Sequence, residues 1–97
     1  MLFHVTMDVS IPIDFDKDAA EELKRVEKAR CHELMEAGVW RHIWRVAGKY
    51  RNVSIFDVAS IDELHGLLMG LPLFPFMTIE VTATMIMEAT QLQPSVR

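Results

Sequence analysis

The chain predicts an α+β domain with its elements in the order β-α-β-β-α-β. Three observations carry that reading. Leu2 to Val9 alternates apolar and polar residues at the period of a strand. Asp18 to Ala37 repeats its apolar residues at the period of a helix, and Met77 to Ala83 alternates again near the far end. Two further strand-like runs and a capped helix start lie between them. At 97 residues the chain, 1–97, is read as one domain.

In the first strand Phe3, Val5, Met7 and Val9 share one face, and His4, Thr6 and Asp8 the other. Pro12 stops it, and in the loop that follows Asp16 or Asp18 can cap the helix. Along the helix Ala20, Leu23, Cys31, Leu34 and Met35 form a narrow apolar stripe, while Glu21, Glu22, Arg25, His32, Glu33 and Glu36 face the other way. Gly38 ends it as a left-handed residue would. Val39 to Ala47, VWRHIWRVA, reads as a second strand with Trp40, His42, Trp44 and Val46 on one side and Val39, Arg41, Ile43 and Arg45 on the other. A short turn with Gly48 leads into a third strand, Val53 to Val58, making a hairpin. Ser60 and Glu63 give the S-x-x-E start of a second helix, whose apolar side is Ile61, Leu64, Leu67 and Leu68 and which Gly66 and Gly70 keep short. Pro72 and Pro75 bar LPLFPFM from helix and central strand alike, so it is a stiff apolar connection before the last strand. This order is ferredoxin-like: a four-stranded antiparallel sheet with two helices on one face. The second face of the sheet has no cover within one chain.

Composition narrows the function. Residues of hydrophobic type make up 51% of the chain, more than a monomer this small readily hides, so a hydrophobic oligomer interface is expected. A net charge of −4 excludes the basic stripe that nucleic acid requires, and no basic amphipathic face suits a membrane surface. The one cysteine, Cys31, allows no internal disulfide, and the N-terminus shows neither a signal peptide nor a membrane span. A cytoplasmic protein is expected.

One charged residue breaks the helix pattern. Glu27 projects into the apolar stripe between Leu23 and Cys31, with Lys24 at its edge. A carboxylate taken from water without partners costs several kcal/mol. Either Glu27 is paired with Lys24 or an arginine of the sheet, or the stripe lines a cavity where a general base is wanted. Lys24 then holds an anionic group or stabilises developing charge, or else is a surface lysine. Trp40 to Ser54, dense in aromatics and cations, is either an exposed hairpin or the wall of a small-anion pocket with Arg41, His42, Tyr50, Asn52 and Ser54 as donors. The four histidines, His4, His32, His42 and His65, fall on different elements without metal-ligand spacing, and no phosphate loop, C-x-x-C or nucleophile elbow is present. Neither a metal nor a cofactor is expected.

Several stretches together resemble one family. MLFHV at the start, LKRVEKAR on the helix, WRHIWRVAGKY, the FDV of Phe56 to Val58, ELH, and LPLFPFM followed by IEV are similar to the muconolactone isomerase family from Met1 to Val81. The resemblance implies a cofactor-independent enzyme of aromatic catabolism, ferredoxin-like in fold and assembled as a homodecamer with active sites at subunit contacts. Its members move a proton on the butenolide ring of muconolactone, giving the enol-lactone of 3-oxoadipate. Some act on 5-chloromuconolactone, where proton loss expels chloride and yields a dienelactone. Glu27 and Lys24 match the helix motif and inherit the roles of base and electrostatic partner, with Lys24 or Arg41 as the cation for the substrate carboxylate.

The chain departs from the family at Val53, where a tyrosine is usual, and at Phe76, a candidate substrate contact that is often tyrosine. After Val81 the usual tail is replaced by TATMIMEATQLQPSVR, which is expected to pack on a neighbouring subunit. Two activities stay open, isomerisation of muconolactone and elimination of HCl from its 5-chloro analogue. A non-catalytic oligomeric module binding a small ligand is the alternative. For the enzyme the partners are a small anionic lactone and further copies of the chain; the module binds a small ligand or only its own copies.

Overall fold

The structure is a computed structural model and describes residues 1–85. Its elements are β1 (Leu2–Val9), α1 (Lys17–Glu36), β2 (Trp40–Arg45), β3 (Arg51–Asp57), α2 (Ile61–Met69), a 3₁₀ turn (Phe74–Phe76) and β4 (Met77–Ala83). The sheet order is β2-β3-β1-β4 with every pairing antiparallel, as the ferredoxin-like expectation requires. The expected packing of the tail beyond Met85 falls outside the described residues.

Local chemistry sets the element ends. Asp16 is the cap of α1, its carboxylate accepting from the Ala19 N–H at 2.8 Å. Gly38, at φ +78°, takes the left-handed turn out of the helix that an L side chain resists. The Ser60 hydroxyl oxygen accepts from the Glu63 N–H at 3.2 Å and starts α2. Leu64 and Leu68 of α2 are buried, whereas Ile61 is exposed and stays out of the core.

The core lies between the helices and one face of the sheet. Phe3, Val5 and Met7 of β1, Phe56 of β3 and Trp40 of β2 pack against Leu34 of α1 and Leu64 and Leu68 of α2. The apolar stripe of α1 is therefore real, with Ala20 and Leu34 buried and Leu23, Glu27 and Cys31 half-buried. Met35, at its end, is exposed.

The second strand differs from its expected faces. The β2–β3 register pairs Trp40 with Phe56 and then His42 with Ile55, so Arg41 is an extra residue in a β-bulge. Beyond it Ile43 pairs with Ser54 and Arg45 with Asn52, while Trp44 pairs with Val53. Paired residues share a face. Trp40, Ile43 and Arg45 thus stand on the helix side with Phe56, Ser54 and Asn52, and His42 and Trp44 on the open side. Strict period-two counting groups Trp40 with His42 and Trp44 because it cannot register the added residue.

Candidate active site

Glu27 reaches its position because α1 lies over the sheet with its stripe inward. Its Oε1 accepts a hydrogen bond of 3.0 Å from the backbone N–H of Leu73, in the proline-bounded connection. Burial pushes the Glu27 carboxyl above its ordinary pKa, and the Leu73 N–H opposes part of that rise. Among the described residues Glu27 has no ion-pair partner. Lys24, the expected partner, instead lies 3.3 Å from Glu21. The carboxylate is thus held in place without being neutralised.

Glu27 borders a cavity of about 250 Å³ between α1, the β2–β3 hairpin and the Leu73 connection. Such a volume is at the small end for ligand sites and suits a compact molecule. Lys24 and Lys28 stand beside Glu27 on α1, with Cys31 one turn further on. The sheet contributes Trp40, Ile43, Arg45 and Asn52, and the turn after β2 contributes Tyr50. Lys24 Nζ lies 5.9 Å and Arg45 Cζ 5.5 Å from the centre of the Tyr50 ring, so two cations gather at one aromatic. A larger, more open depression of about 750 Å³ adjoins this cavity and shares Val9, Lys24 and Tyr50 with it. Glu27 belongs to the smaller space.

Burial and, after it, the charge of Glu27 push the Cys31 thiol above its ordinary pKa, so it stays protonated rather than becoming a nucleophile. Among the described residues no three histidine, cysteine or acidic side chains gather as metal ligands.

The structure brings together four of the residues singled out from sequence: Lys24, Glu27, Tyr50 and Asn52. Ser54 is fully buried behind the lining, and its hydroxyl donates to Asn52 Oδ1 at 2.8 Å. Arg41 lies elsewhere, at the sheet edge, 3.1 Å from Asp57, whose other oxygen takes the Met1 ammonium at 3.1 Å. His42 stacks on Trp44 with ring centres 5.3 Å apart on the open face of the sheet. Phe76 meets Phe15 edge-on at 5.1 Å, and its carbonyl accepts from the Ser10 N–H, so it ties the loop after β1 to the connection before β4.

Three contributors escaped sequence reasoning. The Leu73 N–H is a backbone group far along the chain and leaves no side-chain signal. Arg45 points inward only because of the bulge. Trp40, which the sequence places on one side with His42, Trp44 and Val46, is 2% exposed. Its indole Nε1 is buried without a partner among the described residues. A buried indole N–H usually finds an acceptor, so an orphan in a cavity wall is the signal to look for.

A family model described as muconolactone delta-isomerase matches residues 1–86. The chain is 57% identical over 83 residues to the muconolactone delta-isomerase of Acinetobacter baylyi, covering 86% of each. To that of Pseudomonas aeruginosa it is 52% identical over 81 residues, covering 84% of each. To that of Rhodococcus opacus it is 55% identical over 80 residues, covering 82% of this chain and 86% of the relative. The crystal structure of a muconolactone isomerase superposes with a TM-score of 0.87 at 49% identity, over 92% of this chain and 93% of that one. The resemblance carried by the helix, hairpin and LPLFP motifs extends over residues 1–86 and over the fold, and the chain belongs to the muconolactone delta-isomerase family.

Proposed function

We propose that the protein is an enzyme that isomerises muconolactone to the enol-lactone of 3-oxoadipate, with Glu27 as the base and no cofactor. The observation that carries this is Glu27 itself. A half-buried carboxylate of raised pKa, oriented by one N–H and lacking a counterion among the described residues, is poised to take a proton rather than to hold a salt bridge. A scaffold that only bound its own copies would gain nothing from it.

The reaction follows from these positions. A ring proton of the butenolide is acidified by conjugation with the lactone carbonyl. Glu27 takes it, the C–H electrons move into the ring, and negative charge collects on the carbonyl oxygen as a dienolate. Asn52, which lines the same cavity as Glu27, offers its amide to stabilise that oxygen. Glu27, now a carboxylic acid, returns the same proton to another ring carbon, so no external acid is consumed. Lys24, with Arg45 beside the same aromatic, holds the substrate carboxylate at the cavity mouth. Tyr50 keeps the two cations near each other.

The working form is an oligomer in the cytoplasm, the family's homodecamer with active sites at subunit contacts. Trp44, 54% exposed on the uncovered sheet face, and Ile13, fully exposed at a loop tip, support an assembled state. The test supplies purified full-length protein with muconolactone and, separately, 5-chloromuconolactone, following enol-lactone, dienelactone and free chloride. Enol-lactone from the first is the expected result. Dienelactone with chloride from the second, without turnover of the first, transfers the assignment to dehalogenation. Silence on both makes the chain a binding module.

A further inference from the structure

The sheet wall of the cavity presents hydrogen-bond donors, and a residue outside the cavity decides that it does so. Among the described residues Asn52 is the one carboxamide in the lining, and a carboxamide offers an acceptor on one side and donors on the other. Which side faces the ligand depends on what holds the group from behind. Here Ser54, 0% exposed, donates its hydroxyl proton to Asn52 Oδ1 at 2.8 Å.

We infer that Ser54 is a positioning residue that locks the Asn52 carboxamide with its NH₂ toward the cavity, making the wall opposite Glu27 a receptor for an oxygen that becomes negative. The inference rests on the isomerase reading of the cavity and specifies which substrate atom the sheet wall receives.

Three observations support it. Asn52 and Ser54 are two apart on β3, so their side chains share the helix-facing side, and the strand itself holds them adjacent. Oδ1 is engaged away from the cavity, so Nδ2, on the other arm of the same planar group, is left for it. Trp40, on the neighbouring strand, has a buried Nε1–H without a partner among the described residues, and an indole can only donate. Asn52 and Trp40, both carrying neutral donors, thus belong to the sheet wall of the cavity that Glu27 borders from α1. An enolate oxygen can accept from the Asn52 NH₂, whereas an ammonium, which only donates, cannot. A flipped Asn52, its oxygen inward, would repel the developing charge.

The experiment measures muconolactone turnover and melting temperature for full-length Ser54→Ala, Ser54→Cys, Asn52→Ala and the Ser54→Ala/Asn52→Ala double variant. Glu27→Gln is run in the same assay. Asn52→Ala is expected to lower kcat on the order of a hundredfold, the usual loss for one donor to a developing oxyanion. Ser54→Ala is expected to lower kcat about tenfold, the worth of one hydrogen bond, with KM little changed. Ser54→Cys, keeping a weak donor of similar shape, falls between wild type and Ser54→Ala and carries the comparison if the alanine variant does not assemble. Because Ser54 acts only through Asn52, the double variant should match Asn52→Ala rather than multiply the two losses.

A kcat within about twofold of wild type for Ser54→Ala, or multiplied losses in the double variant, overturns the inference. A fall in melting temperature at unchanged kcat assigns Ser54 a packing role and overturns it too. Inactive Glu27→Gln beside an active Ser54→Ala removes this inference alone. Full turnover by Glu27→Gln removes the isomerase reading of the cavity together with it.

Discussion

The Leu73 backbone N–H donates to Glu27 Oε1 at 3.0 Å, joining residues 46 positions apart. The proline-bounded connection thus has a task beyond linking α2 to β4. Pro72 and Pro75 restrict their own backbone torsions, and Leu73 between them is buried, so its N–H is a stiff fixture. Glu27 is oriented by something that cannot swing away when the carboxylate changes protonation.

Replacing Glu27 by Gln keeps an oxygen for the Leu73 N–H and removes the base. We expect kcat to fall by about 10²–10⁴-fold with KM nearly unchanged and the assembly intact, read by steady-state kinetics and gel filtration. Turnover within threefold of wild type would place the base on another residue.

Glu27 also has a signature in stability. Its folded pKa lies above the ordinary 4.5, so between the two values the folded chain holds a proton that the unfolded chain has released. Its stabilising contribution is therefore complete below the unfolded pKa and lost as pH rises through the folded one. The Gln variant does not titrate, so its melting temperature relative to wild type should climb as pH is raised from 4.5 through the raised value. The acid limb of kcat/KM should lie above the ordinary glutamate range for the same reason. A difference in melting temperature that is flat with pH would contradict the buried placement of the carboxyl.

Among the described residues Lys24 is paired only with the exposed Glu21, so its loss has little to disturb in the fold. Lys24→Ala should raise KM for muconolactone by about ten- to a hundredfold, the range for a hydrogen bond to a charged group, while the melting temperature barely moves. Unchanged KM and kcat would give the substrate carboxylate to Arg45. Lys24→Met separates lost charge from lost side-chain bulk.

At the sheet edge the Met1 ammonium and, after it, Arg41 hold Asp57 below the usual carboxylate range, outweighing a burial effect in the other direction. A depressed carboxyl stabilises the fold above its unfolded pKa, and that contribution disappears as pH falls through the folded value. Asp57→Asn should therefore differ from wild type in melting temperature at neutral pH and converge with it in acid. Arg41→Ala should weaken the same acid transition, read by thermal scans at stepped pH, rather than alter KM. A tenfold rise in KM for Arg41→Ala would place its guanidinium at the substrate.

Much of this was legible in the chain before any coordinates. The alternation of Phe3, Val5 and Met7, the cap at Ser60 and the stop at Gly38 are local signals, and each element stands within two or so residues of its expected place. Glu27 was conspicuous because a charge in an apolar stripe is costly enough to demand an account. The partners of that charge were not legible. Leu73 contributes a backbone atom, which every residue has, and Lys24 turns to Glu21 one turn away on the same helix. Arg41, His42 and Arg45 could not be sorted, since one added residue at Arg41 inverts every side chain after it.

That added residue has a consequence for how such a chain can diversify. Within six residues β2 carries two independent sets of side chains: Trp40, Ile43 and Arg45 meet the ligand space, while His42 and Trp44 meet the outside. Substrate preference can drift through Ile43 or Arg45 while the stacked pair beyond the sheet stays as it is, and the outer surface can change without retuning the chemistry. Deleting the single residue Arg41 would leave both sets where they are, because the ladder from His42–Ile55 onward would then follow Trp40–Phe56 without a break, and only the guanidinium at Asp57 would be lost.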